Sequence, residues 1–215
     1  LSGNTSILII WAPGVIEDVL ILENISCVNI LQDYFISSYG LGWVKISQLI
    51  INKQPIKSDR GLVFFISKFA YILLENLQLL DFQIGYRLFL FSDCEENCDA
   101  PVMRFYGLAQ VIIDSLKILY LKDDDTKKID FIHSISEEII IQNLLVYLRT
   151  TNFDSIIRSE SRTLILRDSL IKYDNASKNI KGFVLVSGSS RAVNITIDNL
   201  EIYNMWGALS DKEIT

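Results

Sequence analysis

Apolar and polar residues alternate along this chain in short runs, and each run is interrupted near its middle. Residues 194–204 read N-I-T-I-D-N-L-E-I-Y-N: Ile195 and Ile197 alternate with Thr196 and Asp198, Asn199 breaks the alternation, and Leu200 and Ile202 resume it. Two-residue alternation predicts a half-buried strand. A single Asn at the break predicts a bend through the left-handed backbone region, which Asn tolerates better than other residues with a β-carbon. The phrase recurs with Asn24, Gln48, Asn76, Ser115, Asn143 and Asp168 at the same place, spaced 24, 28, 39, 28, 25 and 31 residues apart through Asn199. The copy at Asp168 fits least well, because Ser169 falls where the others carry Leu or Ile.

A second strand-like run precedes most anchors: residues 61–66 before Asn76, 102–106 before Ser115, 129–132 before Asn143, 155–158 before Asp168 and 182–187 before Asn199. Each unit therefore predicts two or three short strands joined by turns. No unit buries its apolar face alone, but stacked units share one core, which is the logic of a solenoid. Successive coils would lie about 4.8 Å apart, and seven would span roughly 30 Å. The anchors would point inward and bond to their equivalents one coil away, a ladder of Asn24, Gln48, Asn76, Ser115, Asn143, Asp168 and Asn199.

These residues, I-T-I-D-N-L-E-I-Y-N above all, resemble the parallel β-helix repeat of pectin-lyase-like proteins. The resemblance covers nearly the whole chain at the level of fold. It implies an all-β, right-handed parallel β-helix of about seven coils, with Asn in a tight turn between two of three short strands. The expectation is one domain over residues 1–215, a segment of a longer chain or assembly, with a side insertion at residues 83–100. That insertion begins with the strand-like residues 86–91 and ends in an acidic loop. A leucine-rich repeat, echoed by L-E-N-L-Q-L-L-D, fits the irregular spacing poorly.

Composition agrees with strands. The 215 residues include 33 Ile and only 7 Ala, and β-branched residues suit a pleated surface. Mean hydropathy is +0.30, as a narrow solenoid that buries most of each strand requires. The most apolar window, residues 62–80, contains Lys68, Glu75, Asn76 and Gln78, so no membrane span is expected. A net charge of −6 argues against nucleic acid.

Cys94 and Cys98 stand in D-C-E-E-N-C-D, spaced for a small disulfide loop or for half a metal site; no further Cys or His cluster completes the latter, which favours the disulfide. Cys27 occupies an apolar slot of the first repeat and reads as a buried thiol. Glycosylation sequons occur at Asn4, Asn24, Asn175 and Asn194. Asn24, as an inward anchor, would be unmodified, leaving Asn4, Asn175 and Asn194. The sequons and the Cys pair together point to an extracellular or cell-surface protein.

The resemblance implies two chemistries, hydrolysis with several Asp beside a His, and calcium-assisted elimination. His133 in F-I-H-S-I is the one His of the chain, and it reads as a structural residue sharing a face with Phe131 and Ile135. Asp123–Asp125 and the acidic loop of Asp93, Glu95, Glu96 and Asp99 read as solvated turns rather than ligand sets. Arg104, Arg158 and Arg162 have no partner that spacing identifies. The expectation is a structural or adhesive module without cofactor, partnered by neighbouring subunits or β-helix segments. The alternative is a carbohydrate-binding or polysaccharide-degrading protein using Tyr39, Trp43 or Trp206 as sugar platforms.

Overall fold

The computed structural model describes residues 6–28, 34–52, 63–67, 71–80, 89–91, 103–121, 130–148, 155–173, 184–186 and 194–203. In these segments the chain forms strands β1 (Ser6–Val28), β2 (Tyr34–Asn52), β3 (Val63–Ser67), β4 (Tyr71–Leu80), β5 (Phe89–Phe91) and β6 (Met103–Leu121). They continue with β7 (Ile132–Gln142), β8 (Leu145–Leu148), β9 (Ile157–Ser159), β10 (Thr163–Tyr173), β11 (Val184–Val186) and β12 (Asn194–Tyr203). Each pairing between them is parallel, as in β2 with β4, β4 with β6 and β10 with β12. The fold is an all-β parallel solenoid. Among the described residues, no helix is long and apolar enough to cross a membrane.

Two walls run along it. One stacks the anchor-bearing strands, from the second half of β1 through β2, β4, β6, β7 with β8, and β10 to β12. The other stacks the companion runs, from the first half of β1 through β2, β3, β5, β6, β7 and β9 to β11. β5 falls inside the region expected to pack on the side of the rod. Its backbone instead pairs with β3 on one edge and β6 on the other. The strand part of the insertion is thus a rung within the companion wall, because residues 89–91 offer both backbone edges to parallel neighbours.

Every anchor takes the left-handed backbone, with φ of 58° at Asn24, 55° at Gln48, 53° at Asn76, 60° at Ser115, 56° at Asn143, 47° at Asp168 and 51° at Asn199. This sets the side-chain order. In β4, Ile72 and Leu74 point inward, Glu75 and Asn76 point outward together, and Leu77 and Leu79 point inward again. The left-handed residue inserts one extra outward position, turning a corner without breaking the wall. The expected inward orientation of the anchors is therefore corrected: Asn24, Gln48, Asn76, Asn143, Asp168 and Asn199 are exposed and Ser115 is half-buried. The core is carried by the apolar residues on either side of the corner.

That core is built of columns. Val44, Ile72, Val111, Ile139 and Leu164 stack in register, as do Ile46, Leu74, Ile113, Ile141 and Leu166. Beyond the corner, Ile51, Leu79, Ile118, Val146 and Ile171 form a third column. All are essentially inaccessible to solvent. Burial of each such side chain contributes about 1.5–3 kcal/mol before conformational entropy is subtracted. Ser169, the misfit of the pattern, is buried too, and its Oγ donates to the Arg167 carbonyl at 2.8 Å. The hydroxyl is satisfied across the bend, which makes Ser tolerable in an aliphatic column. Outside, Leu73, Ile112, Ile140 and Ile165 form a half-buried aliphatic stripe, each covered by its neighbours in the ladder.

Candidate functional site

Among the described residues, the densest group of polar and ionisable side chains lies where β7 meets β9. The sequence shows it as two matching phrases, H-S-I-S at residues 133–136 and R-S-E-S at residues 158–161. In the fold His133 stands opposite Arg158 and Ser134 opposite Ser159. Strand alternation then sorts each phrase to two sides: His133, Arg158 and Glu160 are partly solvent-exposed, whereas Ser134, Ser159 and Ser161 are fully buried. Phe131 and Ile132 are both buried, so alternation begins after them. His133 shares its outward side with Ile135 but not, as expected, with Phe131.

On the outer side, His133 Nε2 lies 3.3 Å from Glu160 Oε1, with which it bonds. Arg158 reaches the same carboxylate at 3.3 Å and Asp130 at 3.5 Å. Ser155 Oγ donates to the other Asp130 oxygen at 2.6 Å. Burial pushes the His133 imidazole below its ordinary value. The bond and charge of Glu160 oppose that shift, while the Arg158 charge adds to it. Near neutral pH the ring is therefore neutral, and its bond to Glu160 places the proton on Nε2. Arg158, without a partner by spacing, is held by two carboxylates, and Arg162 lies 3.9 Å from Glu137. The backbone of Arg104 stands opposite His133.

On the inner side three hydroxyls close a ring. Ser134 and Ser136 Oγ are 2.8 Å apart, Ser134 and Ser161 Oγ 3.0 Å, and Ser136 and Ser161 Oγ 2.9 Å. The Ser136 amide donates to Ser161 Oγ at 3.2 Å and the Ser161 amide to Ser159 Oγ at 3.2 Å. The serine ring went unanticipated, although the repeated S-x-S at a spacing of 25 residues signals it. The wall separates the base from the hydroxyls: His133 and Ser134 are consecutive and point to opposite faces. What this arrangement does chemically is fasten two coils together.

The same holds at the anchors. Asn199 Nδ2 donates to Asp168 Oδ1 at 2.7 Å, one anchor to the next. Asn143 Nδ2 instead donates to Asp114 Oδ1 at 2.8 Å, and Ser115 Oγ bonds the same oxygen at 3.1 Å. Ser is too short to reach across a coil spacing, and the preceding Asp supplies the acceptor. Burial raises the affinity of the Asp114 carboxyl for its proton, but donors from Asn143, Gln142 and Ser115 outweigh it and leave the group below its ordinary value. Lys45 lies 3.0 Å from Glu75 and 3.9 Å from Glu23, bridging the coils on either side, and both carboxylates hold its pKa up, Glu75 chiefly.

Of the remaining expected site residues, Asn194 is exposed and its backbone N–H donates to the Arg162 carbonyl at 2.9 Å. Asn4, Asn175, Cys94, Cys98, Asp123–Asp125, Tyr39's side chain, Cys27's side chain and Trp206 lie outside the described residues. Trp43 is 40% exposed, but its ring stacks on Tyr71 with centroids 4.2 Å apart and planes 13° from parallel. The two residues are register partners in adjacent coils. Their rings therefore lie face to face along the stack, and each gives up one face to the other. Among the described residues, no group of three or more His, Cys, Asp or Glu is placed to hold a metal ion.

No protein-family model, curated protein or solved structure matches the chain.

Proposed function

We propose that this chain is a structural or adhesive module, a stiff parallel β-helix of about seven right-handed coils similar to those of pectin-lyase-like proteins. Its setting is an extracellular or cell-surface protein or filament, and its partners are neighbouring subunits or β-helix segments. One observation carries the reading: polar side chains along the walls are joined to partners one coil away. Ser47 to Glu23, Asn143 to Asp114, His133 to Glu160, Ser155 to Asp130 and Asn199 to Asp168 span 24, 29, 27, 25 and 31 residues. Groups committed to holding coils together make a rigid rod. The exposed sequon at Asn194 supports a secretory setting.

The alternative, a carbohydrate-binding or polysaccharide-degrading protein, is favoured among the described residues by the exposure of Trp43, and the Tyr71 stack takes one face of that ring. Electron microscopy of the protein isolated natively from its source tests the proposal. Embedding in a filament or larger surface complex is the expected result. A free rod of 24.6 kDa that binds polysaccharide would overturn it.

A further inference from the structure

Asn24 opens the phrase N-I-S, so one of the seven corner residues also begins a glycosylation sequon; no other corner has Ser or Thr two residues on. The fold presents this sequon outward. Asn24 turns its corner at φ 58° and is exposed, Ile25 packs against the core, and Ser26 is exposed again. Amide and hydroxyl thus stand on the same outer side, with the apolar residue between them turned in. The exposure belongs to the corner and not to the place of β1 in the stack: Gln48, Asn76 and Asn143 have a coil on either side and are exposed as well. Asn143 and Asn199 commit their amides to Asp114 and Asp168. Among the described residues the side-chain amide of Asn24 makes no hydrogen bond, and neither does that of Asn76, which has a coil on each side. The Glu23 carboxylate beside Asn24 is engaged elsewhere, by Ser47 at 3.2 Å and Lys45 at 3.9 Å.

We propose that Asn24 carries an N-linked glycan in the native protein. The donor is a lipid-pyrophosphate-linked oligosaccharide, the class of substrate that a secretory-pathway transferase uses. Asn24 Nδ2 attacks C1 of the first sugar and the N–C bond forms. The C1–O bond to pyrophosphate breaks, the lipid pyrophosphate leaves with the electron pair, and one amide proton passes to a base of the transferase. The Ser26 hydroxyl completes the acceptor sequence. Transfer needs only the sequon, but the folded product needs the modified nitrogen in solvent. Asn24 meets that need, because its amide is exposed and gives up no bond when it is modified. A bulky, solvated chain at this corner would keep neighbouring subunits off the row it covers. The proposal rests on the secretory setting proposed above, and goes beyond it in assigning the modified corner.

The test is peptide mapping by mass spectrometry of the protein isolated natively from its source. N-glycans are removed enzymatically in heavy-oxygen water, which leaves an isotopic label wherever a glycan stood. A label at position 24 is expected. The companion measurement is the same mapping on the 215-residue chain sent through the secretory pathway behind an added leader, which supplies the donor whatever the native setting. There Ser26→Ala should abolish the label at Asn24, and Ser26→Thr should keep it. A native protein labelled at Asn175 or Asn194 but not at Asn24 would overturn the proposal and leave the secretory setting standing. A native protein without any label would overturn it too. Labelling of Asn24 in the secreted chain would then place the failure in the setting, and an unlabelled Asn24 there would place it in the corner geometry.

Discussion

Asn199 donates to Asp168 across 31 residues of chain, and both residues hold a left-handed backbone, at φ of 51° and 47°. One pair thus turns two corners and ties two coils. Substitution separates the two roles. Asn199→Gly keeps the corner and loses the bond, at about 0.5–1 kcal/mol. Asn199→Val also forces a branched side chain into the left-handed region, adding about 1–2 kcal/mol. Urea denaturation of the two variants should rank them in that order; equal losses would mean that the corner places no demand on the residue.

Gln48 turns its corner at φ 55° and points to solvent. Its long side chain has no local bond that favours the left-handed region, whereas Asn does. Gln48→Asn is therefore expected to stabilise the protein by a few tenths to about 1 kcal/mol, read as a shift in denaturation midpoint at constant slope.

The corners show what the sequence makes legible. A left-handed residue is a steric demand on one position, so Asn and its substitutes betray all seven corners without any tertiary information. Which way the anchor points is not such a local property. Simple alternation sends Asn76 inward, but the bend resets alternation, and Glu75 and Asn76 face out together. The ladder was legible only in part for the same reason: reach decides the partner, so Asn143 bonds Asp114 rather than Ser115. The serine ring left a plain trace in H-S-I-S and R-S-E-S. It was missed because serines in short runs resemble turns, and only the register of β7 on β9 brings them together. The network around His133 depends on that register as well.

The serine ring predicts unequal costs. Ser161→Ala removes a partner of Ser134, of Ser136 and of the Ser136 amide at once. Buried groups left unpaired cost about 1–3 kcal/mol. In each single variant the two remaining hydroxyls still bond each other, and each of the three bonds is lost in two of the single variants, so the sum of the singles counts it twice. The triple variant is therefore expected to lose less than the sum of the three single losses. Additive losses in thermal or chemical unfolding would show that the hydroxyls do not act as a ring.

His133 gives the fold a dependence on pH. Its imidazole is held below the ordinary value near 6.5 by burial, against the pull of Glu160. The unfolded chain then binds the proton more readily than the folded one, so stability rises with pH across the interval between the two values. The contribution is complete above about pH 6.5 and is lost as pH falls through that interval to the lowered folded value. His133→Gln removes the titrating group. Comparing urea midpoints at about pH 7.5 and about pH 5.5, the wild type should lose more stability on acidification than the variant does. If the variant loses as much, His133 is not the source of the acid sensitivity; the Asp114 carboxyl, held below its ordinary value by its donors, adds its own loss only at lower pH.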